Sequence, residues 1–166
     1  SIAFVGSTEK RWTGLLNDGN VSRVDAAASG TAGSTYWSAK DVDLIMADVN
    51  GLLGSIRTNT GEVEWADTLR MPPDAFRAVA TKRMGAGDGF MTVLEYMRRN
   101  NIYTAETGLP LDIAPLREAR NASQDGGGRL VAYRKDPEVV RFHLPMPRRV
   151  LAPRQKSIMG FETGII

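Results

Sequence analysis

The chain has 166 residues and a mass of 18.1 kDa, with 42% hydrophobic and 24% charged residues. These values are those of an ordinary globular domain, which excludes disorder over the whole length. Because the chain contains no cysteine, a disulfide framework, a thiolate metal site and a cysteine nucleophile are all excluded. No run of 18 apolar residues occurs in the sequence, which excludes a transmembrane helix.

Charge is distributed unevenly along the chain, although the net charge is only +2. Residues 1–108 carry 11 basic and 13 acidic side chains, whereas residues 109–166 carry 10 basic and 6 acidic ones. The densest part of the basic C-terminal third is a cluster of four residues, Arg148, Arg149, Arg154 and Lys156. Such a cluster favours contact with the phosphates of nucleic acid, or a solvated rim that forms ion pairs with another subunit. The sequence leaves both interpretations open.

The N-terminal segment predicts little regular structure. Residues 2–6 are typical of the end of a strand. Residues 17–35 are rich in Gly, Ala, Ser and Asn and have few large apolar side chains. This composition predicts an irregular connection.

One long amphipathic helix is the strongest local signal in the chain. Ser38, followed three residues later by Asp41, resembles a capping box, and Gly61 lies beyond the far end. The apolar residues between them are spaced by three and four, so they share one stripe of a helix. This stripe consists of Val42, Ile45, Met46, Val49, Leu52, Leu53 and Ile56. The pattern predicts a helix from about residue 39 to residue 56, with Asp48 on its solvated side.

A short strand and two shorter helices are predicted next. Val63 and Trp65, with Leu69 beyond them, predict a short strand. Pro72-Pro73 predicts the start of a helix, because proline suits the first helical turn. Thr92 and Glu95 form a capping box for the following helix, which Asn100-Asn101 ends.

The last third of the sequence alternates strand and turn signals. Residues 111–116 are apolar around a proline, which predicts an edge strand. Residues 130–133 and 139–144 are β-rich runs on either side of the turn-like residues 134–138, which predicts a hairpin. A final strand is predicted over residues 157–161.

No pattern in the sequence indicates a catalytic or cofactor site. His143 is the only histidine, and no motif partner accompanies it, so a packed or surface role is favoured. Residues 85–89 follow a predicted helix rather than a strand, so they predict a loop and not a phosphate-binding site. The acidic residues lack the spacing of a calcium loop. Any of Trp12, Trp37 and Trp65 that finds no place in the core is a candidate interface anchor.

Several segments, taken in order, resemble the major capsid proteins of tailed bacteriophages and prophages, whose HK97-like fold is shared with encapsulin shells. Ile2-Ala3-Phe4-Val5-Gly6 with Thr13-Gly14-Leu15-Leu16-Asn17 resembles the return from the long extended loop of that family. The helix at 39–56 resembles its spine helix. The remaining similar segments are Leu69 to Phe76, Thr92 to Tyr96 with Asn100-Asn101, Leu130 to Val140, and Leu144 to Pro147.

The resemblance implies an α+β fold with a long spine helix, a peripheral antiparallel sheet and an apical α/β lobe. Residues 1–37 would be a remnant of the extended loop with its connector. Residues 38–71 and 137–166 would form the peripheral domain, and residues 72–136 the apical domain. Because relatives begin with an N-terminal arm and an outgoing loop strand, the chain is interpreted as a fragment that lacks them.

The function that the resemblance implies is self-assembly into an icosahedral virion shell around double-stranded DNA, without sequence recognition, enzymatic activity, cofactor, metal or membrane. The protein would be made in the bacterial host cytoplasm and would meet scaffold and portal proteins. The candidate contacts between neighbouring copies are Asp88, Arg98, Arg99 and Glu106. The four residues of the basic cluster would face the DNA or the subunit rim.

Three alternatives remain open at this level. An encapsulin-like compartment would use the same fold. A nucleic-acid-binding module would use residues 141–156 and would lose affinity steeply with salt. A small α+β enzyme would need a deep pocket lined by dispersed carboxylates with perturbed pKa values.

Overall fold

The computed structural model describes residues 2–7, 9, 11–26, 35–85, 91–122, 127–141, 154–157 and 160–162. For Ile2 and for the last two of these segments it describes the backbone only. Its helices are α1 (Ile2–Val5), α2 (Val42–Asn59), α3 (Pro73–Thr81), α4 (Val93–Arg99) and α5 (Ile102–Thr107), with a 3-10 turn at Arg117–Ala119. Its strands are β1 (Thr68–Met71), β2 (Asp112–Pro115), β3 (Val131–Tyr133), β4 (Arg154–Ser157) and β5 (Gly160–Glu162). The chain therefore has an α+β fold.

The long helix predicted from the apolar stripe is α2. Its buried residues are Ile45, Met46, Val49 and Leu53, all members of that stripe. The helix begins three residues later than predicted, and the capping box is wrong: Asp41 is the N-cap and makes no side-chain cap hydrogen bond. The helix ends at Asn59, three residues later than predicted, and Gly61 beyond it has a φ of +64°, which suits a glycine.

The central sheet is mixed and has the order β2-β1-β3. β1 pairs in parallel with β2, so that Thr68 lies opposite Asp112. β1 also pairs antiparallel with β3, so that Thr68 lies opposite Tyr133. The edge strand predicted around residues 111–116 is confirmed as β2. The expectation of an antiparallel sheet is wrong for this one, because β2 returns to β1 after an intervening run of helices, which allows parallel pairing.

Two further strand predictions differ from the structure. The strand predicted from Val63, Trp65 and Leu69 is confirmed only at Leu69, because β1 begins at Thr68 and Val63 is exposed. The predicted hairpin of residues 130–144 is absent from its described part, since β3 pairs with β1 instead. The amides of Val139 and Val140 both donate to the carbonyl oxygen of Asp136, at 3.0 and 2.9 Å, and so form a turn. Residues 142–144, including His143, lie outside the described residues.

The C-terminal strand prediction is confirmed in part. Instead of one strand over 157–161, the structure has the antiparallel pair β4 and β5, in which Arg154 lies opposite Glu162. Two residues of the predicted strand, 158 and 159, lie outside the described part of the chain.

The helices that follow β1 begin where the sequence predicted. Pro73 occupies the first turn of α3. The hydroxyl of Thr92 accepts a hydrogen bond from the Glu95 amide at 3.3 Å and caps α4. The reciprocal half of the capping box does not form, because the Glu95 carboxylate pairs with Arg99. Buried Asn101 ends this region and caps α5 by accepting from the Thr104 amide at 2.8 Å.

The core joins the apolar stripe of α2 to the central sheet and the helices α3–α5. The members of one buried cluster are Trp37, Ile45, Met46, Val49, Leu53, Ala66, Leu69, Met71, Val79, Val93, Met97, Tyr103, Leu111 and Ile113. Burial of such side chains supplies about 1.5–3 kcal/mol each. The long helix is therefore fixed to the sheet along one side, while its opposite side, including Asp43 and Ala47, is exposed.

Candidate functional site

The four candidate contact residues do not share one environment. Arg98 donates from Nη2 to the carbonyl oxygen of Ile113 at 3.3 Å. Ile113 lies in β2, an edge strand, so Arg98 covers part of that edge. An occupied edge carbonyl is less available to pair with another chain. Arg98 therefore has a role within the subunit that the sequence did not indicate.

Arg99 and Glu106 are the more accessible candidates. Arg99 forms an ion pair of 2.7 Å with Glu95, one helical turn earlier, and both side chains are largely exposed. A surface pair of this kind contributes about 0.3–0.5 kcal/mol, so a neighbouring molecule can displace it at small cost. Glu106 is exposed on α5 and makes no ion pair among the described residues. Asp88 lies outside the described part of the chain.

The basic cluster is described only in part. Arg148 and Arg149 lie outside the described residues. Arg154 and Lys156 belong to β4, whose backbone pairs with β5. The register of this pair is irregular between Gln155 and Ser157.

The three tryptophans have three different environments. Trp37 is buried in the core cluster. Trp65 packs edge-on against Tyr103 at a ring separation of 6.2 Å, and the Arg57 guanidinium lies 5.2 Å from its ring centre. Only Trp12 is substantially exposed. Trp12 is thus the tryptophan that keeps its candidacy as an interface anchor.

The N-terminal motif forms a compact unit held by main-chain contacts. Residues 2–5 form the short helix α1 and not the predicted strand end. The Asn17 carboxamide joins the two halves of the motif, because it accepts from the Gly14 amide at 2.6 Å and donates to the Val5 carbonyl at 2.8 Å. A Cβ on Gly14 would lie 2.5 Å from the backbone of Phe4. Glycine is therefore required at this close approach.

The N-terminal unit is joined to the sheet side of the subunit by two contacts. The ring of Phe4 meets that of Tyr133 in β3 edge-on, with ring centres 6.3 Å apart. The Arg129 guanidinium donates to the carbonyl oxygen of Leu16. Tyr133 and Arg129, which are far from the N-terminal unit in the sequence, thus hold that unit beside β3.

A buried ion pair at the start of α2 was missed in the sequence. Lys40 is fully buried, and its Nζ lies 2.5 Å from Oδ2 of Asp48, a residue predicted to be solvated. The same carboxylate oxygen accepts from Nε1 of Trp37 at 2.9 Å. The Lys82 ammonium group donates to the carbonyl oxygen of Lys40. The one available signal was the position of Lys40 directly before the helix and two turns from Asp48.

The central sheet carries a partly exposed ion pair that perturbs a carboxylate. Nη2 of Arg70 in β1 lies 2.6 Å from Oδ2 of Asp112 in β2. This hydrogen bond lowers the pKa of Asp112, and desolvation opposes the effect. The same contact raises the pKa of Arg70. The pair supports the parallel register of the two strands and is not a proton-transfer site, since its arginine stays protonated.

The described residues contain no metal-binding or membrane-spanning feature. No group of three or more His, Cys, Asp or Glu side chains among them is arranged to hold a metal ion. Within the same part of the chain, no helix has the length and apolar character that crossing a membrane requires.

The fold is similar to that of a known class of proteins, the shell proteins of phage capsids. A solved structure titled "The capsid of Myoviridae Phage XM1" matches this chain with a TM-score of 0.63 and 21% sequence identity. The match covers 99% of this chain and 54% of that chain, so this chain spans about half the length of the capsid chain it resembles. At this identity the likeness concerns the fold alone.

The sequence as a whole identifies the family to which this chain belongs. A family model described as "Major capsid protein" matches residues 1–166. The chain therefore belongs to the major capsid protein family, a family of structural proteins and not of enzymes. No curated protein matches the chain.

Proposed function

We propose that the protein containing this chain self-associates into the icosahedral capsid of a tailed phage or prophage and encloses double-stranded DNA. The observation that carries this proposal is the family match over all 166 residues. The fold is HK97-like in this proposal, with α2 as the spine helix. An 18-residue helix that is buried on one side and exposed on the other supports that role.

The proposed regions are those predicted from the sequence, except for one boundary. The predicted regions were residues 1–37 as loop remnant and connector, residues 38–71 with 137–166 as the peripheral region, and residues 72–136 as the apical region. Because β1 pairs on both sides with strands from 72–136, we place the boundary before β1 instead of after Met71. The peripheral region then consists of α2 and the C-terminal residues.

The proposed contacts between copies are electrostatic and individually weak. Arg99 and Glu106, with Asp88 and Arg98, would form ion pairs with a neighbouring copy. Exposed pairs contribute at most about 1 kcal/mol each, but closed symmetry repeats every contact around the shell. Such a surface allows assembly without a single dominant site.

The basic cluster of Arg148, Arg149, Arg154 and Lys156 is proposed to face packaged DNA or the subunit rim. Phosphate contacts by such residues position a protein on DNA and do not read its sequence. Scaffold and portal proteins are further proposed partners, and synthesis would take place in the host cytoplasm.

The experiment that tests the proposal is electron microscopy of the full-length protein expressed alone in bacteria. Ordered shells, rings or tubes are expected. A protein that stays monomeric under all conditions would contradict the proposal. Shells that hold a protein cargo and exclude DNA would favour an encapsulin-like compartment.

A matched pair of variants tests the charged contacts. Arg99→Glu reverses a proposed contact charge and is expected to reduce the yield of particles. Arg77→Glu reverses an exposed arginine that pairs with Asp74 at 3.4 Å on α3, outside the proposed set, and is the control. Equal yields from the two variants would remove Arg99 from the proposal.

A further inference from the structure

Four exposed apolar residues lie on segments that enter or leave the central sheet at one end. They are Val63, Leu109, Val139 and Val140, which are between 42% and 73% exposed. We call these four residues the sheet-end patch. β1 and β2 run in parallel, so the residues before them, including Val63 and Leu109, lie at the same end of the sheet. β3 runs antiparallel to β1, so the residues after β3, including Val139 and Val140, lie at that end too.

The backbone that carries the patch is held by hydrogen bonds. The Asp67 side chain accepts from the Lys135 amide at 2.8 Å, and the Asp67 carbonyl accepts from the Asp112 amide at 2.9 Å. Asp67 thus links the start of β1 both to the start of β2 and to the segment after β3. The four apolar side chains are therefore presented on a fixed framework and not on a free chain end.

Ion pairs join the two valine-bearing segments directly. The Arg134 guanidinium pairs with Glu64, the neighbour of Val63, and with Asp136 at 3.3 Å. The carbonyl of Asp136 accepts the amides of Val139 and Val140. The segments that carry Val63 and the two valines after β3 are thereby held next to each other. A fixed, clustered apolar surface marks a docking site better than scattered exposed valines do.

The charges around the patch indicate what docks there. Two exposed acids, Glu62 and Glu138, and two exposed bases, Lys135 and Arg141, flank it. The two acids and two bases balance, so these flanking residues have no excess positive charge to favour a phosphate-rich partner such as DNA. A partner with an apolar centre and both signs of charge complements the patch, and a second copy of this chain has such a surface.

We propose that the sheet-end patch of one copy of this chain meets the sheet-end patch of a second copy in the assembled shell. This inference rests on the proposed function and adds the surface through which copies meet. The patch excludes water from an apolar centre, and the surrounding charges select the register.

Because these 166 residues contain no cysteine, a thiol introduced among them can be labelled against the background of the unsubstituted full-length protein. Val63→Cys, Leu109→Cys and Val140→Cys are made singly in the full-length protein, with Ser38→Cys, an exposed residue before α2, as the control. Maleimide labelling is compared before and after assembly. We expect labelling of the three patch positions to fall by about tenfold or more on assembly, because only an accessible thiol reacts. Mixed assemblies of Val63→Cys and Val140→Cys copies are expected to give covalent dimers with a short bis-maleimide.

The outcomes separate this inference from the proposed function. If the unmodified protein forms no particles, the proposed function fails and the inference fails with it. If particles form and the patch thiols stay as reactive as before, only the inference fails. Protection without covalent dimers would show that something other than the same patch of a second copy covers these residues. Protection that nuclease treatment removes would assign the patch to nucleic acid. Both of the last two outcomes overturn the inference.

A charged variant gives an independent measurement. Val63→Asp with Val140→Asp is expected to prevent particle formation by the full-length protein. Its melting temperature as an unassembled subunit should be unchanged, because exposed substitutions rarely alter stability by more than about 0.5 kcal/mol. Normal particles from this variant would contradict the proposed contact.

Discussion

Lys40 and Asp48 form an ion pair of 2.5 Å in which the lysine is completely buried. The pair joins the residues before α2 to the second turn of that helix. Trp37 donates to the same carboxylate, and Lys82, at the end of α3, donates to the Lys40 carbonyl. Four residues from three parts of the chain thus meet where the long helix begins.

Breaking the pair is expected to be costly. Lys40→Met removes the ammonium group that pairs with the buried Asp48 carboxylate, and removing one partner of a buried ion pair costs about 3–5 kcal/mol. Asp48→Asn leaves Lys40 uncompensated and should cost a similar amount. Urea unfolding of the purified chain measures both free energies.

The double variant separates charge from packing. Lys40→Met with Asp48→Asn has no buried charge and keeps an amide oxygen as acceptor for Trp37, so it should recover most of the lost stability. The matched control is Arg99→Met, which breaks an exposed pair and should cost less than about 0.5 kcal/mol. Strictly additive losses at Lys40 and Asp48 would contradict a coupled pair.

The Arg70–Asp112 pair predicts a pH dependence. Its hydrogen bond lowers the pKa of Asp112 in the folded state, so the ionised form stabilises the fold. This contribution is present above the ordinary aspartate pKa of about 3.9 and is lost as pH falls through the lower folded value. Because the Asp112 side chain is half exposed, the contribution at neutral pH is below about 1 kcal/mol.

This prediction is tested by comparing the free energies of unfolding of the natural chain and of Asp112→Asn. Asp112→Asn should be less stable than the natural chain at pH 7, and the difference should shrink as pH falls below about 3.9. A difference that is the same at pH 7 and at pH 2.5 would argue against the ion pair as its source.

Replacing Gly14 or Gly6 by alanine is expected to disrupt the structure locally. A Cβ on Gly14 would lie 2.5 Å from Phe4, and one on Gly6, at a φ of +76°, would lie 2.2 Å from the Trp12 carbonyl oxygen. Gly14→Ala should therefore separate α1 from the Leu15 and Leu16 amides, which donate to Ala3 and Phe4 at 3.1 and 2.9 Å. Hydrogen exchange should accelerate at these two amides and stay unchanged in α2.

A glycine-to-alanine substitution in α2 is expected to increase stability instead of lowering it. A Cβ on Gly51 would meet nothing within 4 Å, and alanine is favoured over glycine inside a helix by about 1 kcal/mol. Gly51→Ala should therefore raise the melting temperature of the unassembled subunit. A lower melting temperature would show that this side of α2 is covered within the subunit.

Local patterns predicted α2, the start of α3 at Pro73 and the Thr92 cap, because each depends on residues within a few turns of one another. The pairing of β1 was not predictable in this way. Its partners at Asp112 and Tyr133 are chosen by burial of the whole sheet, and β-rich runs such as 130–133 do not specify which strand they meet. Lys40 was missed for a related reason, since its burial depends on Trp37 and Lys82 as well as on Asp48.

The family resemblance was predictable from ordered motifs, whereas the candidate contacts were not. Arg98 and Arg99 are neighbours on α4, yet one covers the β2 edge and the other pairs within its own helix. The sheet-end patch had no local signal, because its members are brought together only by the strand order.

The position of β1 between β2 and β3 has a consequence for synthesis. Thr68 lies opposite Tyr133, so the ribosome must extend the chain beyond Tyr133 before β1 gains its second neighbour. Closing such a distant pairing is slow compared with forming a helix. A nascent chain therefore cannot complete its central sheet until Tyr133 has been synthesised, and a chain that ends before β3 would leave β1 with only one of its two neighbours.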